Sequence, residues 1–137
     1  MLPAGTWRTM PIHLDISHLD RVVIAVVIGD ATVDEVSDLA RRFAESGTRH
    51  YRKIVDTTAG SVLTSDEAEV AAVAGYLRGE ANGSSRGPLA FVIDPKLPQF
   101  FAEKFTELTS GERPVKVFQS LRAARKWLDE HSTLEQR

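Results

Sequence analysis

Apolar and polar residues alternate near the start of the chain and then give way to a continuous apolar run. Ile12, Leu14 and Ile16 alternate with polar residues, and this period of two predicts a strand with one polar face. Residues 21–28 (RVVIAVVI) are apolar on both faces, which is typical of a central strand. Because only a short polar segment separates the two strands, we expect them to pair antiparallel.

The pattern then changes to a helical period. Thr32 and Glu35 have the spacing of a capping box, in which each residue satisfies a backbone amide at the start of a helix. Gly47 is a suitable C-terminal stop. The apolar positions between them fall on one helical face, and they are Val33, Val36, Leu39, Ala40 and Phe43.

The stretch from 53 to 77 predicts a strand, a polar loop and a second helix. The strand is short, from Lys53 to Asp56, and the Ser/Thr-rich residues after it predict a loop at its carboxyl end. Thr64 and Glu67 match a second capping box, so the helix is expected to begin there and to fade near residues 75–77. In open α/β sheets the carboxyl ends of strands are where loops and ligands meet, so we expect any site at this junction.

The remaining chain predicts two more strand–helix units. Residues 78–88 are rich in glycine and serine and predict a mobile surface loop. A buried strand at 89–93 precedes a helix over 97–108, and an edge strand at 115–118 precedes a final helix capped by Ser120. The third helix has apolar residues Phe100, Phe101, Phe105 and Leu108, and the last has Leu121, Ala124, Trp127 and Leu128 facing the core.

The order β-β-α-β-α-β-α-β-α predicts an α/β fold. Strands that alternate with helices imply a mostly parallel central sheet with right-handed crossovers, here with one antiparallel strand and helices packed around it. We expect a flexible leader at 1–10, a single domain over 11–131 and a polar tail at 132–137.

Composition narrows the functional classes. The 137 residues are 42% hydrophobic and 26% charged, as in ordinary globular domains. A net charge of −2 gives no bulk attraction to nucleic acid or to a membrane surface. Without cysteine, a disulfide, a thiolate metal site and a cysteine nucleophile are excluded. No apolar run is long enough for a membrane span, so we expect a cytoplasmic protein without stable membrane insertion.

Three segments carry a resemblance to a known family. They are RVVIAVVIGDAT leading into the first helix, KIVDTT beginning at the predicted strand 53–56, and VKVF followed by SLRAARKWL at the end. With the element order, they resemble the SpoIIAA-like, or STAS, domains of anti-sigma-factor antagonists, of the STAS/SEC14-type branch, from about residue 12 to about residue 130. The resemblance implies a small mixed sheet and a role of a bacterial regulatory or binding protein without catalysis.

Regulatory members of that family carry an Asp-Ser-Ser-Gly motif and are phosphorylated on a serine at the strand–helix junction. The nearest match here is Asp56-Thr57-Thr58-Ala59-Gly60, with two threonines and an inserted alanine, and Thr64-Ser65 lies at the predicted helix start. The resemblance therefore implies binding or phosphorylation at Asp56, Thr57, Thr58, Thr64 and Ser65, although the motif itself is altered.

Two other interpretations of single residues are weaker. Asp56 could serve as the phosphoacceptor of a receiver domain, but the last strand (VKVFQS) has no lysine at its carboxyl end and the β-β opening does not fit that architecture. A metal site could be drawn from His13, Asp15, His18 and Asp20, but a solvated strand and turn explain these residues better. We expect no metal, no cofactor and no catalytic residue.

Two functional hypotheses remain. The first is a module that binds a protein partner, or itself as a homodimer, through residues 56–65. The second is a carrier of a small apolar ligand or lipid, with a groove at Phe100, Phe101 and Phe105 beside the 78–88 loop. A modest basic group near residues 41–53 is interpreted as a solvated surface, and no nucleic-acid partner is expected.

Overall fold

The structure is a computed structural model that describes residues 11–81 and 86–135. The predicted order of strands and helices is confirmed. The elements are β1 (Ile12–Ser17), β2 (Val22–Ala31), α1 (Val33–Glu45), β3 (Arg52–Val62), α2 (Glu67–Ala81), β4 (Leu89–Ile93), α3 (Phe100–Leu108), β5 (Val115–Phe118) and α4 (Leu121–Glu135). The predicted leader at 1–10 lies outside the described residues.

The five strands form one mixed sheet in the order β1-β2-β3-β4-β5. β1 pairs antiparallel with β2, with Ile12 opposite Val27, and the other neighbours are parallel. The chain is thus a single α/β domain, and the predicted antiparallel pair is confirmed. β5 lies at an edge, as the proline before it predicted.

The helices cover the two faces of the sheet unequally. On one face, side chains from α1, α2 and α3 form the larger core with β1 to β4. On the other face, Ala124 and Leu128 of α4 pack against Ile54, Ala90 and Val92. Because side chains alternate along a strand, Lys53, Val55 and Thr57 point toward the α1–α3 face while Ile54 and Asp56 point away from it.

The prediction that β3 ends at Asp56 is wrong. β3 continues to Val62 because β2 also continues beyond Ile28 and offers it a parallel partner, with Gly29 opposite Gly60. A register shift between Val26 and Ile28 lets the two strands stay paired. A Cβ at Gly60 would lie 2.3 Å from the carbonyl oxygen of Gly29, so the glycine permits this close approach of the backbones.

One of the two predicted capping boxes is confirmed. The Glu35 amide donates to the Thr32 hydroxyl at 3.2 Å, and the Thr32 amide donates to the Glu35 carboxylate at 2.8 Å. The box at Thr64 and Glu67 is wrong, because α2 begins only at Glu67 and the carboxylate of Asp66 accepts from the Ala68 amide instead. Asp66 takes the capping role because it directly precedes the helix.

Several element ends differ from the prediction. α2 continues to Ala81, so residues 78–81 of the predicted loop are helical, and residues 82–85 lie outside the described part of the chain. α3 begins at Phe100 instead of residue 97, since Pro98 and the non-helical Gln99 precede it. Leu121 is exposed instead of facing the core, since it stands at the first position of α4. α4 extends to Glu135.

Candidate ligand-binding cavity

A cavity of about 70 Å³ lies between the sheet and helices α1, α2 and α3. Phe91 of β4, Phe101 and Phe105 of α3 and Phe43 of α1 supply aromatic walls. The Phe101 and Phe105 rings stack with centroids 5.6 Å apart, and Phe91 meets Phe105 edge-on at 5.7 Å. The other apolar lining residues are Ile12, Val27, Val36, Leu39, Ala40, Ala44, Val55, Val62, Val73, Leu77, Leu89, Pro98 and Ala102.

The predicted phenylalanine groove is partly assembled here. Phe101 and Phe105 are buried and line the cavity, since they lie on the face of α3 that packs on the sheet. Phe100 is not among the lining residues, and its ring lies 5.9 Å from the Nζ atom of Lys104. The structure therefore places two of the three predicted residues around one interior space instead of in a surface groove.

At one end the cavity is lined by a hydrogen-bonded polar pair, Thr57 and Gln99. Thr57 Oγ1 lies 2.9 Å from Gln99 Oε1 and 3.2 Å from the carbonyl oxygen of Val92. The Gln99 side-chain amide in turn donates to the carbonyl oxygens of Thr57 and Asp94, both at 3.3 Å. Thr57 is only 3% exposed, so its hydroxyl makes its hydrogen bonds inside the protein.

At the other end, four cationic side chains line the cavity. We call this group, Arg49, Lys53, Arg86 and Arg113, the basic end. Lys53 is the second residue of β3, while Arg86 and Arg113 lie two or three residues before β4 and β5. Because β3, β4 and β5 are parallel, their amino ends meet at one edge of the sheet and bring these residues together.

Lys53 is 3% exposed, and its ammonium is held by backbone oxygens. Its Nζ donates to the carbonyl oxygens of Thr48 and Arg49, both at 2.8 Å, and of Tyr51 at 3.0 Å. Burial, with a smaller contribution from the three neighbouring arginines, lowers the pKa of Lys53 from 10.5 to about 7. The Phe43 ring centroid lies 6.0 Å from Nζ, so the ammonium makes a cation–π contact with the apolar wall of the cavity.

The arginines of the basic end are only partly neutralised. Arg86 pairs with Glu112 at 3.0 Å, but the same carboxylate also pairs with Arg78 at 2.6 Å. That hydrogen bond from Arg78 is the main reason that the pKa of Glu112 lies below its usual value. Burial lowers the pKa of Arg113 to about 10, with a smaller effect of the Arg86 charge.

Two of the guanidinium groups have donors without acceptors. Nη1 of Arg113 donates to the carbonyl oxygen of Gly87 at 3.3 Å, but its buried Nε has no hydrogen-bond partner among the described residues. The side chain of Arg49 makes no hydrogen bond or ion pair within the same part of the chain. A buried donor without an acceptor costs about 1–3 kcal/mol, so Nε of Arg113 needs an explanation, whereas Arg49 is only partly buried.

The sequence analysis missed the basic end, although a signal for it exists. Lys53 was treated as the first residue of a strand and, together with Arg49, as part of a solvated basic group. However, basic residues at or directly before three consecutive parallel strands must converge at one edge of the sheet. Lys53, Arg86 and Arg113 meet that condition, and this spacing could have identified them.

Apart from Thr57, the predicted junction residues lie outside the cavity. Asp56 points to the sheet face opposite the cavity, and its carboxylate accepts from the Thr58 amide at 2.9 Å and the Thr58 hydroxyl at 2.7 Å. Thr64 and Ser65 lie between β3 and α2, where the Thr64 hydroxyl donates to the Glu69 carboxylate. The structure therefore brings Asp56 and Thr58 together and separates them from the cavity.

The described residues contain no group of three or more His, Asp or Glu side chains arranged to hold a metal ion. None of the helices in residues 11–81 and 86–135 has the length and hydrophobicity that crossing a bilayer requires.

Comparison with solved structures identifies the fold. No protein-family model and no curated protein matches the chain. A structure from Shewanella loihica PV-4 is similar, with a TM-score of 0.54 and 19% sequence identity over 85% of this chain and 91% of that one. It is described as an uncharacterized protein from the DUF3478 family with a SpoIIAA-like fold. The fold of the present protein is therefore SpoIIAA-like, as its sequence predicted.

Proposed function

We propose that the protein is a non-enzymatic binding module that holds a small apolar ligand in the cavity between the sheet and helices α1, α2 and α3. The cavity itself carries this proposal. Protein interiors are closely packed and have few voids larger than a water molecule, whose share of liquid volume is about 30 Å³. This space of about 70 Å³, with four phenylalanine rings in its wall, is larger than the volume of a water molecule.

The energetics of an empty apolar space support the same conclusion. At about 24 cal/mol per Å³, a cavity of about 70 Å³ costs about 1.7 kcal/mol. A ligand that fills the space recovers this free energy and the dispersion contacts of the aromatic rings. Since an apolar cavity that binds benzene has a volume of about 150 Å³, the ligand of this smaller space is a short chain or one that moves α1, α2 or α3 outward.

Native mass spectrometry of protein purified gently from its own host tests this proposal. We expect a non-covalent adduct of low mass that is lost after delipidation, together with a fall in the melting temperature. Ala102→Leu should reduce the adduct because residue 102 lines the cavity. Ala123→Leu is the matched control, since Ala123 is exposed on α4. Unchanged bound mass and unchanged stability after delipidation would contradict the proposal.

A second candidate, binding of a protein partner or a second copy, rests on the ends of β2 and β3. Residues 28–31 and 59–62 pair with each other, and within the described residues neither β1 nor β4 pairs with them along their length. Ile28 is 51% exposed there, and Leu63, which follows β3, is 55% exposed. Unpaired strand edges beside exposed apolar side chains can accept another chain.

Light scattering and a pull-down distinguish this candidate from the first. A partner, or a dimeric mass, that is lost in the double variant Ile28→Thr, Leu63→Ser supports it. Leu19→Ser is the control, because Leu19 is 93% exposed at the turn between β1 and β2. A monomeric mass together with partners that survive the double variant would reject the interface.

A further inference from the structure

We infer that the ligand of the cavity is an amphipathic anion whose carboxylate or phosphate group is bound by Arg49 and Arg113, with its apolar tail among the phenylalanine rings. The inference rests on the proposed function, since it names the chemistry of the molecule that the cavity holds.

The balance of charge at the basic end is the first argument. Three arginines line this end beside Lys53, and among the described residues Glu112 is the carboxylate that pairs there, with Arg86. Because Glu112 is also shared with Arg78, it does not neutralise the group. Like charges that repel in a partly dehydrated space favour a bound anion.

Free hydrogen-bond donors are the second argument, and they come from different side chains. Nε of Arg113 is buried without an acceptor among the described residues, and the guanidinium of Arg49 has neither a hydrogen bond nor an ion pair there. Both side chains line the cavity. A guanidinium presents its donors in a planar fork that matches two oxygens of a carboxylate or phosphate, so one anionic group satisfies what the protein leaves open.

Lys53 contributes charge to this site without contacting the ligand. All three protons of its ammonium go to the carbonyl oxygens of Thr48, Arg49 and Tyr51. It therefore acts as a positioning residue, because it fixes the backbone that carries Arg49 and adds positive potential behind the arginines. A ligand with a cationic head group would be repelled by the same arrangement.

The two arginines are held in register by the backbone at Gly87. Its amide donates to the carbonyl oxygen of Arg49 at 2.9 Å, and its carbonyl accepts from Arg113 at 3.3 Å. A Cβ at this position would lie 2.1 Å from the carbonyl oxygen of Tyr51, so only glycine permits the approach. The site is thus a pre-formed frame, which lowers the entropy cost of binding.

A titration of the full chain with three six-carbon probes tests the inference by NMR chemical shifts. Hexanoate, hexyl phosphate and 1-hexanol share the same tail and differ in the head group. We expect the better of the two anions to bind about tenfold or more tightly than 1-hexanol, as charge-assisted hydrogen bonds are about twice as strong as neutral ones. Which anion binds more tightly distinguishes a carboxylate ligand from a phosphate ligand.

Arg49→Gln and Arg113→Gln should each weaken the anion about tenfold and leave 1-hexanol unchanged. Arg122→Gln is the control, since Arg122 is exposed on α4 across the sheet. If Arg113→Gln does not fold, the affinities of Arg49→Gln alone test the inference, because Arg49 is only partly buried and its substitution should leave the fold intact. Equal binding of anion and alcohol would overturn the head-group inference and leave the proposed function standing. If no probe binds, the proposed function and this inference both fail.

Discussion

The stability of this protein should rise with pH above neutrality because of Lys53. Its pKa is lowered by burial to about 7 in the folded state, while an unfolded lysine has its ordinary value of 10.5. Between these two values the unfolded chain binds more protons than the folded chain, so the free energy of unfolding increases with pH. Below pH 7 both states bind the proton, and the contribution of Lys53 becomes constant.

The size of the effect follows from the difference between the two pKa values. One pH unit corresponds to 1.36 kcal/mol for one proton, so the whole interval is worth at most about 5 kcal/mol. Between pH 7.5 and pH 9.5 we expect a rise of about 2.5 kcal/mol. The charged groups that act on Lys53 are Arg49, Arg86 and Arg113, of which Arg86 pairs with Glu112. The carbonyl oxygens around the ammonium act against the shift.

Urea unfolding of the wild type and of Lys53→Met at several pH values measures this slope. Methionine has a side chain of similar length and no charge. After the substitution the carbonyl oxygens of Thr48 and Arg49 still accept hydrogen bonds from the backbone amides of Tyr51 and Gly87. All other titrations are common to both proteins, so the difference between the two curves isolates Lys53. Parallel curves would show that Lys53 stays protonated in the folded protein and would refute the reasoning.

Three further substitutions test the packing of the fold by urea or thermal unfolding. Leu128→Ala should lower the free energy of unfolding by about 2–5 kcal/mol, because this buried residue packs α4 against one face of the sheet. A loss below about 1 kcal/mol would contradict that packing. Gly87→Ala should destabilise by about 1–3 kcal/mol through its collision with Tyr51, whereas Gly75→Ala, which meets no atom closer than 4.0 Å inside α2, should stabilise by about 0.5–1 kcal/mol. Thr32→Ala should cost about 1 kcal/mol by removing a helix cap, and an unchanged midpoint would show that the cap is dispensable.

The sequence predicted the fold well where local pattern and tertiary structure agree. The apolar run at the second strand predicted a central position, and β2 lies between β1 and β3. Prediction failed where a partner strand overrides the local signal. Residues 57–62 carry Thr, Gly and Ser, which favour a loop, but the extension of β2 beyond Ile28 supplies hydrogen bonds that keep them in β3.

The candidate site was harder to predict, because it depends on contacts between distant segments. Phe101 and Phe105 could be found from one helix, since their spacing places them on the same face. The basic end joins residues that are up to 64 positions apart in the numbering, from Arg49 to Arg113. Only the parallel register of β3, β4 and β5 brings them together, and the unpaired Nε of Arg113 becomes visible only in the folded structure.

The two ends of the cavity differ in a way that separates packing from function. At the Thr57–Gln99 end every buried polar side chain has partners, as a stable interior requires. At the basic end a buried lysine and an arginine with a free Nε lie beside an apolar space. A sequence selected for stability alone would place apolar or paired residues there. If Lys53→Met gains stability at pH 7 while Arg49→Gln loses the anion, the local instability of the basic end is the cost of a binding site.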